Sequence, residues 1–121
     1  MNGTAVALVA LGGALGSVAR FVLTTLLSPI SRQFPSSTIL INVVGSFVIA
    51  YVAGRTTQHT NENVRLFVMV GLCGGFTTFS SFSLQTFELI QRGAAFGAIV
   101  NVVLSVTICL LAVAAGYALA R

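Results

Sequence analysis

The chain has 121 residues, of which 56% are hydrophobic and 7% charged, against about 25% charged in an average soluble domain. Six arginines, no lysine and two acids cannot cover the surface of a water-soluble domain of this length, and the mean hydropathy of +1.01 agrees. A pI near 10.1 would suit a nucleic-acid binder, but the arginines stand singly and form no patch, so no nucleic-acid partner is expected. The composition is that of an integral membrane protein whose solvent is the lipid bilayer.

A spanning helix takes about 20 apolar residues, and four apolar blocks are legible, roughly 4–27, 37–54, 66–91 and 95–119. Each is too long and too unalternating for a barrel strand, so the expected fold is all-α, a single four-helix transmembrane domain over 1–121. The first block lacks a preceding basic region and a following small-residue cleavage site, and is expected to be a retained helix rather than a signal peptide. It carries Gly12 and Gly16 as a GxxxG pair, a packing signal in lipid. It also carries Arg20, the one basic residue well inside a span, which reads as a functional candidate or as a side chain snorkelling to the interface.

Pro29 and Pro35 separate the first block from the second, and Pro35 with Ser36–Ser37 predicts the start of the second helix. Asn42 lies inside that span, followed at helical spacing by Gly45 and Ser46. An intramembrane amide is either interhelical glue or part of a polar pathway. Ser46, Ala50 and Gly54 form a stripe of small residues. The polar stretch Arg55–Asn63 holds the single histidine, His59, expected to be solvated.

The third block contains the most informative segment, Gly71-Leu-Cys-Gly-Gly-Phe-Thr-Thr-Phe-Ser-Ser-Phe-Ser83. Gly71 and Gly75 form a second GxxxG pair, and Gly74–Gly75 predicts a break in the helix. Unwound backbone at membrane depth must line a cavity or bind an ion. After the break come the hydroxyls of Thr77, Thr78, Ser80, Ser81 and Ser83, with Phe79 and Phe82 on one helical face between them. Read singly, such hydroxyls bond back to their own helix and the rings fill a core. Read as one run behind a break, they line a pathway. Glu88 sits near the helix end as an interfacial acid, and Arg92–Gly93 predicts a tight turn. The fourth block carries Asn101 and Ser105 four apart, then Cys109, Ala112 and Gly116. Cys73 and Cys109 both lie in apolar blocks and read as packing residues rather than a disulfide.

Arg55, Arg65 and Arg121 lie on one side of such a chain, and Arg20, Arg32 and Arg92 lie on or approach the other, so the positive-inside rule assigns no orientation. Either a helix boundary is displaced or the chain inserts both ways and pairs as an antiparallel dimer. No metal-ligand cluster, nucleophile–base pair or phosphate loop is present, so an enzyme is not expected.

These residues resemble the Fluc (CrcB) fluoride channels over essentially the whole length. The matching pieces are Gly12-Gly13-Ala-Leu-Gly16 with Arg20-Phe21, Pro35 with Thr38, Asn42-Val-Val-Gly45-Ser-Phe47, the string Gly74 to Ser83, and Asn101 with Ser105. The resemblance implies a passive fluoride-selective channel, built as an antiparallel dual-topology homodimer with two pores, that relieves fluoride toxicity in a cell inner membrane. It implies that Phe79 and Phe82 face the ions by their edges and that Asn42 is the pore asparagine. Thr78, Ser80, Ser81 and Ser105 would supply hydroxyls, and Arg20 would be vestibular or structural. It further implies a central structural Na+ held by the Gly74 and Thr77 carbonyls of both chains. The chain departs from the family pattern at Ser81, where Thr is usual, at Gln85, where Glu is frequent, and at Ser37, where Gly is frequent.

Fluoride is small and strongly hydrated, so a narrow path must replace its water with amide and hydroxyl donors, while ring edges carry positive potential. Two other readings differ by simple features. A small dual-topology multidrug transporter needs a membrane-embedded acid in the first helix, and residues 4–27 contain none. A purely structural four-helix subunit gives no reason for the hydroxyl run.

Overall fold

Apolar blocks of this length leave the backbone no bilayer solution but helix. The computed structural model of the chain, which describes residues 1–56 and 61–121, is helical in that way, with no strand among the described residues. The elements are α1 (Gly3–Leu26), α2 (Ser36–Arg55), α3 (62–76), α4 (Phe79–Gln91) and α5 (Ala95–Leu119). α3 and α4 together make one span, Glu62–Gln91, so four spans of 24, 20, 30 and 25 residues are long and apolar enough to cross a membrane. His59 lies outside the described residues.

The punctuation follows local chemistry. Asn2 caps α1, its Oδ1 accepting the Ala5 N–H at 2.8 Å. A 3-10 turn over Ser28–Ser31, with Pro29 in its first turn, leads to α2, whose first turn is tied back by the Ser37 N–H donating to Ser31 Oγ at 2.7 Å. Gly93 takes φ +80 at the end of α4, and the N–H groups of Gly93 and Ala94 donate to the carbonyls of Ile90 and Leu89. That pairing is a Schellman close, which calls for a residue without Cβ at the left-handed position.

The third span is bent, but not where its glycines predict. Gly74 is helical at φ −62, ψ −39, and the helix runs on to Phe76. The break falls at Thr77 (φ −82, ψ 159) and Thr78 (φ −150, ψ 119), both extended. The glycines serve close approach instead. A Cβ built on Gly75 would stand 2.5 Å from the Gly13 carbonyl oxygen, and one on Gly71 would stand 2.9 Å from the Gly12 Cα. Over Arg65–Cys73 the same helix is wound with the wider π spacing.

Two helix pairs carry most of the packing, α1 with α3 and α2 with α5. In the first, a Cβ on Gly16 would meet the Leu72 carbonyl oxygen at 2.2 Å. In the second, one on Gly116 would meet the Phe47 carbonyl oxygen at 2.4 Å. Backbones touch directly at these points, which is where dispersion and weak polar contacts hold helices together in lipid. Few large side chains are buried in the single chain; among the described residues only Ile41 and Asn101 are wholly enclosed. Leu11, Leu15 and Val18 on α1, and Ile99, Val103, Val106 and Leu110 on α5, are exposed at helical spacing, as lipid-facing or partner-facing side chains are.

Gly16→Ala is expected to force α1 away from α3 and to lower stability by about 1–3 kcal/mol, the cost of overpacking. Gly97→Ala, whose Cβ would meet nothing closer than 3.7 Å, is the control and should leave the thermal unfolding midpoint in detergent unchanged. Equal midpoints for the two variants would remove the α1–α3 seam as a determinant of the fold.

Candidate ion pathway

A helix that stops at Phe76 and restarts at Phe79 leaves backbone groups that must be paired at membrane depth. Three side chains supply the partners. Thr77 Oγ1 donates to the Cys73 carbonyl at 2.8 Å, closing the last turn of α3. Thr78 is the N-cap of α4, its Oγ1 accepting the Ser81 N–H at 3.2 Å. Asn42, from α2, holds the Thr78 peptide groups from both sides: its Nδ2 donates to the Thr78 carbonyl at 3.0 Å and its Oδ1 accepts the Thr78 N–H at 2.8 Å. One turn further along α2, a Cβ on Gly45 would meet the Thr77 methyl at 2.1 Å. The same face of α2 therefore gives the break both its hydrogen bonds and its room.

Around this break lies a cavity of about 330 Å³, lined by Asn42, Gly45, Ser46, Gly74, Thr77, Thr78, Phe79, Phe82 and Ser105, with Cys73 and Cys109 also in its wall. The sequence-predicted Asn42, Phe79, Phe82, Thr78, Ser105, Gly74 and Thr77 are thus brought together from three different spans. The Phe79 and Phe82 rings stand 5.5 Å apart at 47°. Phe79 is 78% exposed, so this wall of the cavity is open in the single chain. Both cysteines are free thiols, as their sequence context predicts.

Ser81 and Arg20 lie elsewhere. They line a second cavity of about 310 Å³ between α1, α2 and α4, together with Thr38 and Gln85, and Thr78 belongs to both cavities. Gln85 in turn also lines a third, of about 190 Å³, with Arg32, Glu88 and Arg92, where the Arg92 guanidinium donates to the Gln33 carbonyl. Ser80 lines none of the three; it is exposed, with its Oγ 3.4 Å from Thr78 Oγ1.

The hydroxyls divide into two groups. Ser83 donates to the Phe79 carbonyl at 2.9 Å and Thr86 to the Phe82 carbonyl at 2.7 Å, the local back-bonding open to any helical Ser or Thr. Ser105 donates to Asn101 Oδ1 at 3.3 Å, and Asn101 Nδ2 donates to Thr86 Oγ1 at 2.9 Å. With its proton turned inward, Ser105 offers the cavity lone pairs rather than a donor. Ser81 and Thr38 make no side-chain hydrogen bond with any described residue, which leaves their O–H groups to serve an acceptor in the second cavity. The sequence reading missed Gln85 and Thr38 as cavity residues. Thr38 precedes Asn42 by one helical turn, and that spacing was the available signal.

Among the described residues no cluster of His, Cys, Asp or Glu could hold a transition metal. The chemistry of the break suits a hard monovalent cation better. With the Thr78 N–H held by Asn42 Oδ1, the Gly74 carbonyl lacks its helical donor, and the residues bearing the Gly74 and Thr77 carbonyls line one cavity.

A family model described as CrcB-like protein, Camphor Resistance (CrcB), matches residues 7–117. A protein of Methylobacterium radiotolerans named fluoride-specific ion channel FluC is 55% identical, covering 99% of this chain and 87% of the relative. Proteins of the same name from Gluconobacter oxydans (51% identical; 97% and 85% covered) and Ruminiclostridium cellulolyticum (40%; 91% and 87%) are also similar. These relatives are named as channels, not enzymes. Matched nearly end to end by both comparisons, this multi-pass membrane chain belongs to the CrcB family of ion channels.

Proposed function

We propose that the protein is a passive, fluoride-selective channel that lets fluoride leave the cell across the inner membrane and so relieves its toxicity. The observation that carries this reading is the break at Thr77–Thr78, held by Asn42, with Phe79 and Phe82 beside it on the same cavity. The relatives' names supply the ion. Ring edges that carry positive potential and hydroxyl and amide donors along the path replace part of the hydration shell without offering a countercharge that would trap the ion. Asn42 has a second amide hydrogen beyond the one given to Thr78. Thr78, Ser81 and the Ser80–Thr78 pair continue the donor track, and Ser105 joins it when its O–H turns from Asn101 Oδ1 toward the cavity.

The working unit is an antiparallel, dual-topology homodimer with two pores. Three arginines on each side support insertion in both orientations, and a two-fold axis in the membrane plane would bring two Gly74–Thr77 segments together. The four carbonyls would hold a central Na+, which supplies fixed positive charge to an anion path in low dielectric. The open wall at Phe79 supports a second chain covering it.

Fluoride efflux from proteoliposomes, with chloride as control, tests the activity. Phe82→Ile is expected to lower efflux by up to about tenfold, given ring contacts worth up to ~1.5 kcal/mol, with assembly preserved. Wild-type efflux in that variant would take the ring out of the mechanism.

Asn42→Asp sets a carboxylate oxygen against the Thr78 carbonyl and removes the amide donor. It should depress both efflux and thermal stability, the latter by about 1–3 kcal/mol for a backbone group left unpaired. An unchanged midpoint would show that the break does not depend on Asn42.

The dimer is tested with one cysteine appended after Arg121 in a Cys73→Ala, Cys109→Ala background. Labelling of sealed cells with an impermeant reagent should reach roughly half the chains if insertion is unbiased. Nearly complete or nearly absent labelling would mean one fixed orientation and exclude the antiparallel dimer.

A further inference from the structure

Asn101 on α5 is 1% exposed, and its amide is the middle of a chain of hydrogen bonds that starts in the wall of the phenylalanine cavity. Ser105 donates to Asn101 Oδ1 at 3.3 Å, Asn101 Nδ2 to Thr86 Oγ1 at 2.9 Å, and Thr86 Oγ1 to the Phe82 carbonyl at 2.7 Å. Every proton in that chain points away from the cavity. The last bond is dispensable, because the Phe82 carbonyl lies within α4 and also takes the helical N–H four residues on.

The chain can run the other way on the same heavy-atom positions. Half a rotation of the Asn101 amide exchanges its oxygen and nitrogen without changing the side chain's shape. Thr86 Oγ1 then donates to the amide oxygen, the amide nitrogen donates to Ser105 Oγ, and the Ser105 O–H points into the cavity. No buried group loses its partner in this second arrangement once an acceptor in the cavity takes the Ser105 proton. A hydroxyl whose oxygen already accepts a hydrogen bond is also the stronger donor. Without an acceptor the first arrangement has three bonds against two, so it is the resting one.

We propose that Asn101 is a positioning residue for the ion path: its amide turns to convert the Ser105 hydroxyl from an inward donor into one that faces a small inorganic anion beside Phe79 and Phe82. The Thr86 hydroxyl sets the resting direction. The inference deepens the channel reading, on which it rests for the identity of the anion as fluoride. It differs from a fixed row of donors, since Ser105 presents its proton only while an acceptor is there. Such a response suits an ion that must both enter and leave, because the wall stays paired in either state.

The direction of the amide is read by NMR on the full-length chain, labelled with 15N-asparagine in micelles, from NOE contacts of the Asn101 NH2 protons. With chloride as the only halide they should lie against the Thr86 side-chain protons. Saturating fluoride at matched ionic strength should move them to the Ser105 β-protons. Contacts that stay on Thr86 in fluoride, or that move equally in chloride, overturn the proposal. This arm uses the unaltered chain, so it decides the matter whatever the folding of any variant. Thr86→Val, which preserves shape but removes the hydroxyl, should leave the amide turned toward Ser105 with or without fluoride. A mere packing link would leave the amide where it was, and that result overturns the proposal. Ser105→Ala should abolish the response to fluoride and lower proteoliposome efflux about tenfold, as for one hydrogen bond to a charged partner; wild-type efflux in that variant overturns the proposal as well. Turning by fluoride in a protein that passes no fluoride leaves the amide relay standing and removes the channel reading. Efflux with a fixed amide removes the relay alone.

Discussion

The paired hydrogen bonds between the Asn42 amide and the Thr78 peptide groups are the interaction on which the rest of the site depends. Water can satisfy an interrupted helix at a protein surface, whereas at bilayer depth each unpaired N–H or C=O must be met from within the protein. Asn42 meets one of each with a single planar group whose donor and acceptor match a peptide. Gly45, one turn on, clears the volume that Thr77 occupies. Neither residue alone would suffice: the amide without the space would clash, and the space without the amide would strand the backbone.

Once the break is paired, its consequences follow locally. Thr78 can act as a cap only because it has left the helix, and α4 then starts with Phe79 and Phe82 already beside the break. Further along α4, Thr86 links the Phe82 carbonyl to Asn101 on α5, and Asn101 is almost wholly enclosed. Each end of the functional segment is thereby tied to a different helix, α2 at the break and α5 two turns later. Such buried polar links hold position well because any relaxation exposes an unsatisfied group to a medium that cannot solvate it.

The glycine contacts give this arrangement its frame. In lipid there is little hydrophobic gain in bringing helices together, so close backbone approach does more of the work than side-chain bulk. Gly12, Gly16, Gly71 and Gly75 let α1 lie against α3, and Gly116 does the same for α2 and α5. α3, held to α1, and α2, held to α5, present their meeting faces around one cavity. The charge of that region is uneven: the phenylalanine cavity holds no ionisable side chain other than its thiols, while the neighbouring one holds Arg20.

Much of this organisation is determined by residue order alone. Four spans follow from apolar blocks of bilayer length, the start of α2 from Pro35 and the serines, and the α4–α5 turn from a glycine that can take a left-handed backbone conformation. The run from Thr77 to Ser83 marks the candidate segment, although Ser83 bonds back to its own helix. Tertiary structure alone decided where the helix breaks. A glycine pair lowers helix propensity and permits close packing with equal ease, and the neighbouring helix chose the second use, leaving the break to the threonines that Asn42 could hold. It also decided which hydroxyls face a cavity and which bond to their own backbone, since both choices are open to the same side chain. Arg20 and Gln85 stand 65 positions apart on different helices. Only the packing of α1 against the third span sets them in one cavity, where the charge of one has no partner in the other.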